Sequence, residues 1–370
     1  MIKNKQRQKE KNNIPQSDGI YFIRNFATIS IVLLLLIAGI VILFDPFFHY
    51  HAPFFHLASV QTKHEYQVNG AIQHLEYDSL VLGSSTAMNI NNTLLDNFYQ
   101  CKSIKAVGGM ASPSLLCQYI EKAYRYRDLK YIFYSFDVFV LSFDLNINTS
   151  QGQIQYLANQ NILDDANYLW NKDVLLQEIP DMITTTYLHD YDEGTSYNFC
   201  QYESFGTNKV LSFYFPDGEI TPMATEDIHL SAMKANIGYI SELIKTHPET
   251  EFIFFLPSYS ILWWDNAYRE GVSDAYLFDL KYSIKELLQY DNVTFYTGLF
   301  NDKDTIYNFD YYCDYIHTSE QLNQLSLESF MQGNGKLTLE NYEIEIEKMR
   351  TILNEFEQRL LEEGTDFLYE

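Results

Sequence analysis

The 370 residues of this chain predict an α/β fold on a parallel sheet, preceded by one transmembrane helix. Three observations lead there. A 19-residue run without a charge lies near the N-terminus. Five short runs rich in β-branched and aromatic residues come after it, each of strand length. Stretches of helical period separate most of those runs, and strands alternating with helices build βαβ units. The chain is also long enough to bury a full α/β core.

The uncharged run, residues 26–44, reads FATISIVLLLLIAGIVILF. As a helix it extends about 28 Å, close to the thickness of a bilayer's hydrocarbon core. It ends in bulky aromatics (FDPFFHYHAPFF) with no small-residue cleavage pattern, so an uncleaved anchor fits better than a signal peptide. Phe47, Phe48 and Tyr50 suit the outer membrane–water interface. Residues 1–25 hold six basic and two acidic residues, a net +4. Basic residues ahead of a span stay cytoplasmic, which places residues 45–370 outside. The whole chain carries −24, so the remaining 345 residues carry −28. Such a body repels polyanions, and nucleic acid is excluded as a partner.

Within the exported part the predicted strands are Ser79–Leu82, Ser103–Val107, Tyr131–Ser135, Phe252–Leu256 and Val293–Tyr296. Helical period covers roughly Thr86–Tyr99, Pro113–Arg127, residues 226–247, Asp274–Gln289 and a Glu-rich tail, Leu339–Leu361. The stretch from about Val138 to Thr225 breaks this rhythm and is read as an insertion, a lid or cap, since long loops in compact domains are usually functional. The chain thus divides into a basic N-terminus (1–25), the membrane helix (26–44), a juxtamembrane segment (45–74), an α/β domain (75–335, insertion about 138–225) and a helical tail (336–370).

Three places carry chemistry. The first strand runs into Gly83-Ser84-Ser85-Thr86, which puts a hydroxyl at a strand's C-terminal end beside a helix start, where ligands of open α/β sheets bind. The second runs into Gly108-Gly109, a turn whose N–H groups can face a ligand. Near the C-terminus stands Asp314-Tyr315-Ile316-His317, a spacing that lets a carboxylate reach an imidazole and fix its tautomer. Each is common alone; a serine as helix cap is the ordinary reading of the first.

Their order resembles the SGNH/GDSL hydrolase superfamily over roughly residues 75–335. Gly83–Thr86 matches its nucleophile block and Asp314 with His317 its closing block. The resemblance implies a flavodoxin-like three-layer sandwich with Ser85 as nucleophile, His317 as base and Asp314 as its orienter. It implies an oxyanion hole from the N–H groups of Ser85 and Gly109, and no cofactor or metal. One departure stands out: the family's Asn-bearing block after the third strand reads Ser135-Phe136-Asp137-Val138 here, placing Asp137 where an oxyanion donor belongs. The chain is also similar to a group of anchored proteins of Gram-positive bacteria that share the stretches Asp45–His51, Asn171–Leu176 and Pro257–Asp265, and its architecture is similar to DltD, the anchored protein of lipoteichoic-acid D-alanylation. These likenesses imply an esterase or O-acyltransferase acting on cell-envelope glycan or teichoic acid. The alternative is a non-catalytic binding or scaffold protein beside a membrane-bound acyltransferase.

Tyr259, Trp263 and Trp264 fall after the fourth strand, where they either line the cleft as a sugar platform or pack against the insertion. His49, His51 and His56 are read as part of an aromatic interfacial segment rather than a metal site; His64, His74, His189, His229 and His247 have no ligand spacing. Asp217-Gly218 after Pro216 reads as a turn. Cys101, Cys117, Cys200 and Cys313 are either disulfide partners or small buried hydrophobes, and a core this large favours the second.

Overall fold

The computed structural model describes residues 16–145, 154–159, 161–188, 191–215 and 220–369. The basic residues up to Lys11, His189 and the Asp217-Gly218 turn lie outside the described residues.

Five strands form one all-parallel sheet: β1 (Ser79–Gly83), β2 (Ser103–Val107), β3 (Tyr131–Ser135), β4 (Glu251–Phe255) and β5 (Val293–Tyr296). Their order is β2-β1-β3-β4-β5. All five residues of both β1 and β2 are buried, as expected of parallel strands covered on both faces, although β2 carries Lys105 at its centre. The chain moves one way from β1 to β2 and the other way from β2 to β3. Right-handed crossovers therefore place the two connections on opposite faces. Helix Thr93–Tyr99 accordingly packs with helix Glu320–Met331, while helix Pro113–Tyr124 packs with Leu230–Thr246 and, beyond it, Ser273–Leu287. The reversal lies between β1 and β3. In doubly wound sheets the ligand crevice opens at that point, at the strands' C-terminal ends.

The predicted helix Thr86–Tyr99 is two pieces, Ser85–Met88 and Thr93–Tyr99, because Asn89 and Asn92 turn inward to hydrogen-bond at the break. The segment expected to be a loop at Pro257–Trp264 becomes helix Ile261–Arg269 after four residues.

The N-terminal helix runs from Gln16 to Phe44, and Gly19–Phe44 is long and apolar enough to cross a membrane. Its large side chains from Ile20 to Leu36 are mostly exposed. The segment after this helix differs from the expected interfacial belt: Phe47 and Phe48 are buried in protein. Asp45 causes this. Fully buried, it accepts hydrogen bonds from the backbone N–H groups of His49 (3.0 Å), Tyr50 (2.7 Å) and His51 (2.9 Å), and from the Tyr168 hydroxyl (2.8 Å). The chain coils around the carboxylate and turns its phenylalanines inward. Phe47 joins Val41, Leu157, Tyr168, Val174 and Ile179 in a second apolar core, so the insertion docks on the end of the N-terminal helix.

Gly83 ends β1 where no Cβ fits: one placed there would stand 2.6 Å from Ala87 Cβ and 3.0 Å from Ser135 Cβ. That close approach brings the Ser84–Ser85 turn against β3. Gly83→Ala is expected to lower unfolding stability by roughly 1–3 kcal/mol through overpacking. Gly238→Ala, in open space on helix Leu230–Thr246, is expected to be neutral or to raise it by about 0.5–1 kcal/mol. Urea titrations of the two full-length variants in detergent check the contrast; equal midpoints contradict it.

Candidate active site

The turn after β1 presents Ser85 as the first residue of helix Ser85–Met88, with Ser84 as its cap. At that position the Ser85 N–H has no acceptor within the helix. Ser85 Oγ lies 2.9 Å from His317 Nε2, across 232 residues of chain. On the other side of the ring, His317 Nδ1 lies 2.7 Å from Asp314 Oδ2. Asp314 Oδ1 accepts from the backbone N–H groups of Ile316 (2.7 Å) and His317 (2.8 Å), so the DxxH turn is wound on its own carboxylate. Hydroxyl, imidazole and carboxylate form one hydrogen-bonded line. With Nδ1–H donated to Asp314, Nε2 is left to accept the serine proton.

Electrostatics reinforce this. Burial alone would pull the His317 imidazole down, but the hydrogen bond and charge of Asp314, then the charges of Cys313 and Asp137, outweigh it and hold the group above its ordinary 6.5. Burial pushes Asp314 up, while its bonds to His317 and Ile316 prevail and hold it below its ordinary 3.8. Phe199, from the insertion, stands edge-on to the His317 ring at 5.1 Å and forms a wall of the site.

The loop after β4 supports the imidazole from below. Tyr312 donates to the Ser258 carbonyl (2.9 Å), and Ser260 Oγ donates to the Tyr315 carbonyl (2.7 Å). Glu320, just past His317, accepts from Asn91 (3.0 Å) and Asn198 (3.0 Å), which joins the Ser85 side, the insertion and the histidine loop at one carboxylate.

Several expected roles change. Gly109 does not offer a free donor: its N–H is given to His64 Nε2 at 3.1 Å, while His64 Nδ1 faces Glu65 at 3.2 Å. Asp137 is not an oxyanion donor either. It is buried and caps helix Val138–Leu141, accepting from Ser84 Oγ (2.6 Å), the Tyr259 hydroxyl and the Phe139 N–H (3.1 Å). Burial raises its carboxyl above the ordinary value, and those donors only partly oppose the rise. Its oxygens are thus spent holding the Ser84–Ser85 turn and its neighbours. Trp263 and Trp264 are not a sugar platform, because both are buried with their rings covered: Trp263 stacks on Tyr259 at 4.3 Å, and Trp264 stands edge-on to Phe300 at 5.5 Å. Tyr259 serves instead as a donor to Asp137. His49 pairs with Asp165, and among the described residues no cluster suited to a metal occurs.

One residue escaped sequence reasoning altogether. Lys105, in the middle of β2, is fully buried and donates to the carbonyls of Met88 (2.9 Å) and Ser196 (2.6 Å). It fastens the end of helix Ser85–Met88 to the insertion, and burial pushes its ammonium down to about 7. A lysine interrupting an apolar strand run was the available signal. Comparison with protein-family models, curated proteins and solved structures finds no match.

Lys105→Met is expected to strand two buried carbonyls and lower unfolding stability by roughly 2–5 kcal/mol. Urea unfolding of the full chain measures it, and a midpoint equal to the parent's contradicts the assignment.

Proposed function

We propose that this chain is a membrane-anchored serine ester hydrolase or O-acyltransferase of the SGNH/GDSL kind, acting outside the bilayer on acylated cell-envelope glycan or teichoic acid. The observation that carries the reading is the Ser85–His317–Asp314 line, with its 2.9 Å and 2.7 Å contacts at the switch point of a doubly wound sheet. The neutral His317 imidazole takes the Ser85 proton as Oγ attacks an ester carbonyl. The Ser85 N–H meets the developing oxyanion. The alkoxide leaves with the proton from His317, and water or a glycan hydroxyl then attacks the acyl-serine by the same steps in reverse. Asp314 keeps the ring in the accepting tautomer throughout. The exposed apolar helix supplies the anchor, and the basic residues before it argue for a cytoplasmic N-terminus and an extracellular domain.

A second reading, a scaffold with the same fold working beside a membrane-bound acyltransferase, is favoured by the state of the oxyanion hole. Gly109 N–H is occupied and Asp137 is an acceptor. Each missing donor costs about 2.7–4 kcal/mol in the transition state. Such a deficit slows turnover and leaves the nucleophile itself intact, so chemistry at Ser85 separates the two readings.

A fluorophosphonate probe is expected to label the full-length protein in detergent. Ser85→Ala should abolish labelling and His317→Ala cut its rate by roughly 10³-fold or more. Only the neutral imidazole accepts a proton, so labelling should rise with pH through an inflection above 6.5. An unlabelled, folded parent protein supports the scaffold, and labelling that survives Ser85→Ala removes Ser85 as nucleophile.

A further inference from the structure

Cys200 and Cys313 meet beside the triad. Their sulfur atoms lie 3.1 Å apart, 113 residues separate them in sequence, and both are buried. Neither stands in an inert part of the fold. Cys313 immediately precedes Asp314, and its backbone N–H donates to the His317 carbonyl at 3.1 Å, closing the turn that carries the imidazole. Cys200 comes directly after Phe199, the wall against the His317 ring. Its N–H donates to Asn89 Oδ1 (3.2 Å), and Asn89 Nδ2 donates to its sulfur (3.1 Å). Asn89 terminates the nucleophile helix. The two sulfurs therefore sit where the nucleophile helix, the insertion and the DxxH turn converge.

We propose that Cys200 and Cys313 are a disulfide site, closed in the exported protein, that locks the histidine turn to the nucleophile helix through the insertion. The proposal rests on the extracellular placement of the domain in the proposed function, since envelope compartments let disulfides persist. The sulfurs need to approach by only about 1 Å to reach a bonding separation of about 2.05 Å. The bond forms as the exported chain folds, before the two sulfurs are buried, by exchange with an envelope thiol–disulfide oxidoreductase. The Cys313 thiolate attacks the oxidoreductase disulfide and releases one of its thiolates; the Cys200 sulfur then displaces the other from the mixed disulfide. Two thiols are oxidised, one disulfide is reduced to a dithiol, and the protons pass to the departing thiolates. Cys101 and Cys117 serve as internal controls. Cys101 sits beside Asp96, and Cys117 is buried in helix Pro113–Tyr124.

The test takes full-length protein from membranes of the expressing cells, blocks free thiols with N-ethylmaleimide under denaturing conditions, and maps peptides without reduction. The expected result is a linked Cys200–Cys313 peptide, with Cys101 and Cys117 alkylated. Reduction should then lower the melting temperature by about 5 °C, and Cys313→Ser should remove that shift. Cys200 and Cys313 both carrying N-ethylmaleimide overturns the proposal, as does a linked peptide whose reduction leaves the melting temperature unchanged. Protease digestion of intact spheroplasts, run in parallel, reads the side on which the domain lies. Free thiols in a domain outside the bilayer sink this proposal alone; free thiols in a cytoplasmic domain sink the export reading with it. The readout is the bond, so the reactivity of Ser85 toward a probe is decided separately.

Discussion

The hydrogen bond between Ser85 Oγ and His317 Nε2 is the constraint around which the molecule is organised. It joins the end of the first strand to a turn beyond the last strand, and the proton transfer proposed along it needs both ends held to within a fraction of an ångström. Neither residue is fixed by its own neighbours in sequence. The serine stands on a helix of four residues, and the histidine on a turn held by one carboxylate.

Buried polar groups supply the rigidity that such short elements lack. Asp137 takes Ser84 and Tyr259, and Lys105 takes the Met88 and Ser196 carbonyls; the half-buried Glu320 adds Asn91 and Asn198. Each burial is costly unless its partners are met, and each set of partners comes from two or three distant segments. The insertion is therefore more than a cover. Its residues 192–200 bond both to the residues after Ser85 and to the histidine turn, while its earlier part packs on the coil that Asp45 gathers at the end of the N-terminal helix.

The sheet was legible in the sequence because parallel strands are largely buried on both faces and leave mostly apolar runs; β2, β3 and β5 have the expected bounds, and β1 and β4 differ by one residue. The Gly83–Ser85 and Asp314–His317 motifs were legible for a related reason: their chemistry depends on short spacings. The features that were not legible depend on partners far along the chain. Nothing near Phe47 announces that Asp45 will be wrapped by its own backbone and capped by Tyr168. Nothing near Gly109 announces His64, which lies in a helix, His64–His74, inside a segment that carried no predicted element. For the tryptophans the sequence left a ligand platform and internal packing both open, and one helical turn carries them back into the core.

The Ser85–His317–Asp314 line is tested most directly by the titration of His317 itself, measured by NMR of the full chain in detergent with labelled imidazole carbons and assigned with His317→Gln. The expected titration lies above the ordinary 6.5 and falls when Asp314 is replaced by Asn, because the carboxylate charge and its bond to Nδ1 are what hold the imidazolium against burial. A His317 that titrates at or below the ordinary value, and does not respond to Asp314→Asn, would contradict it.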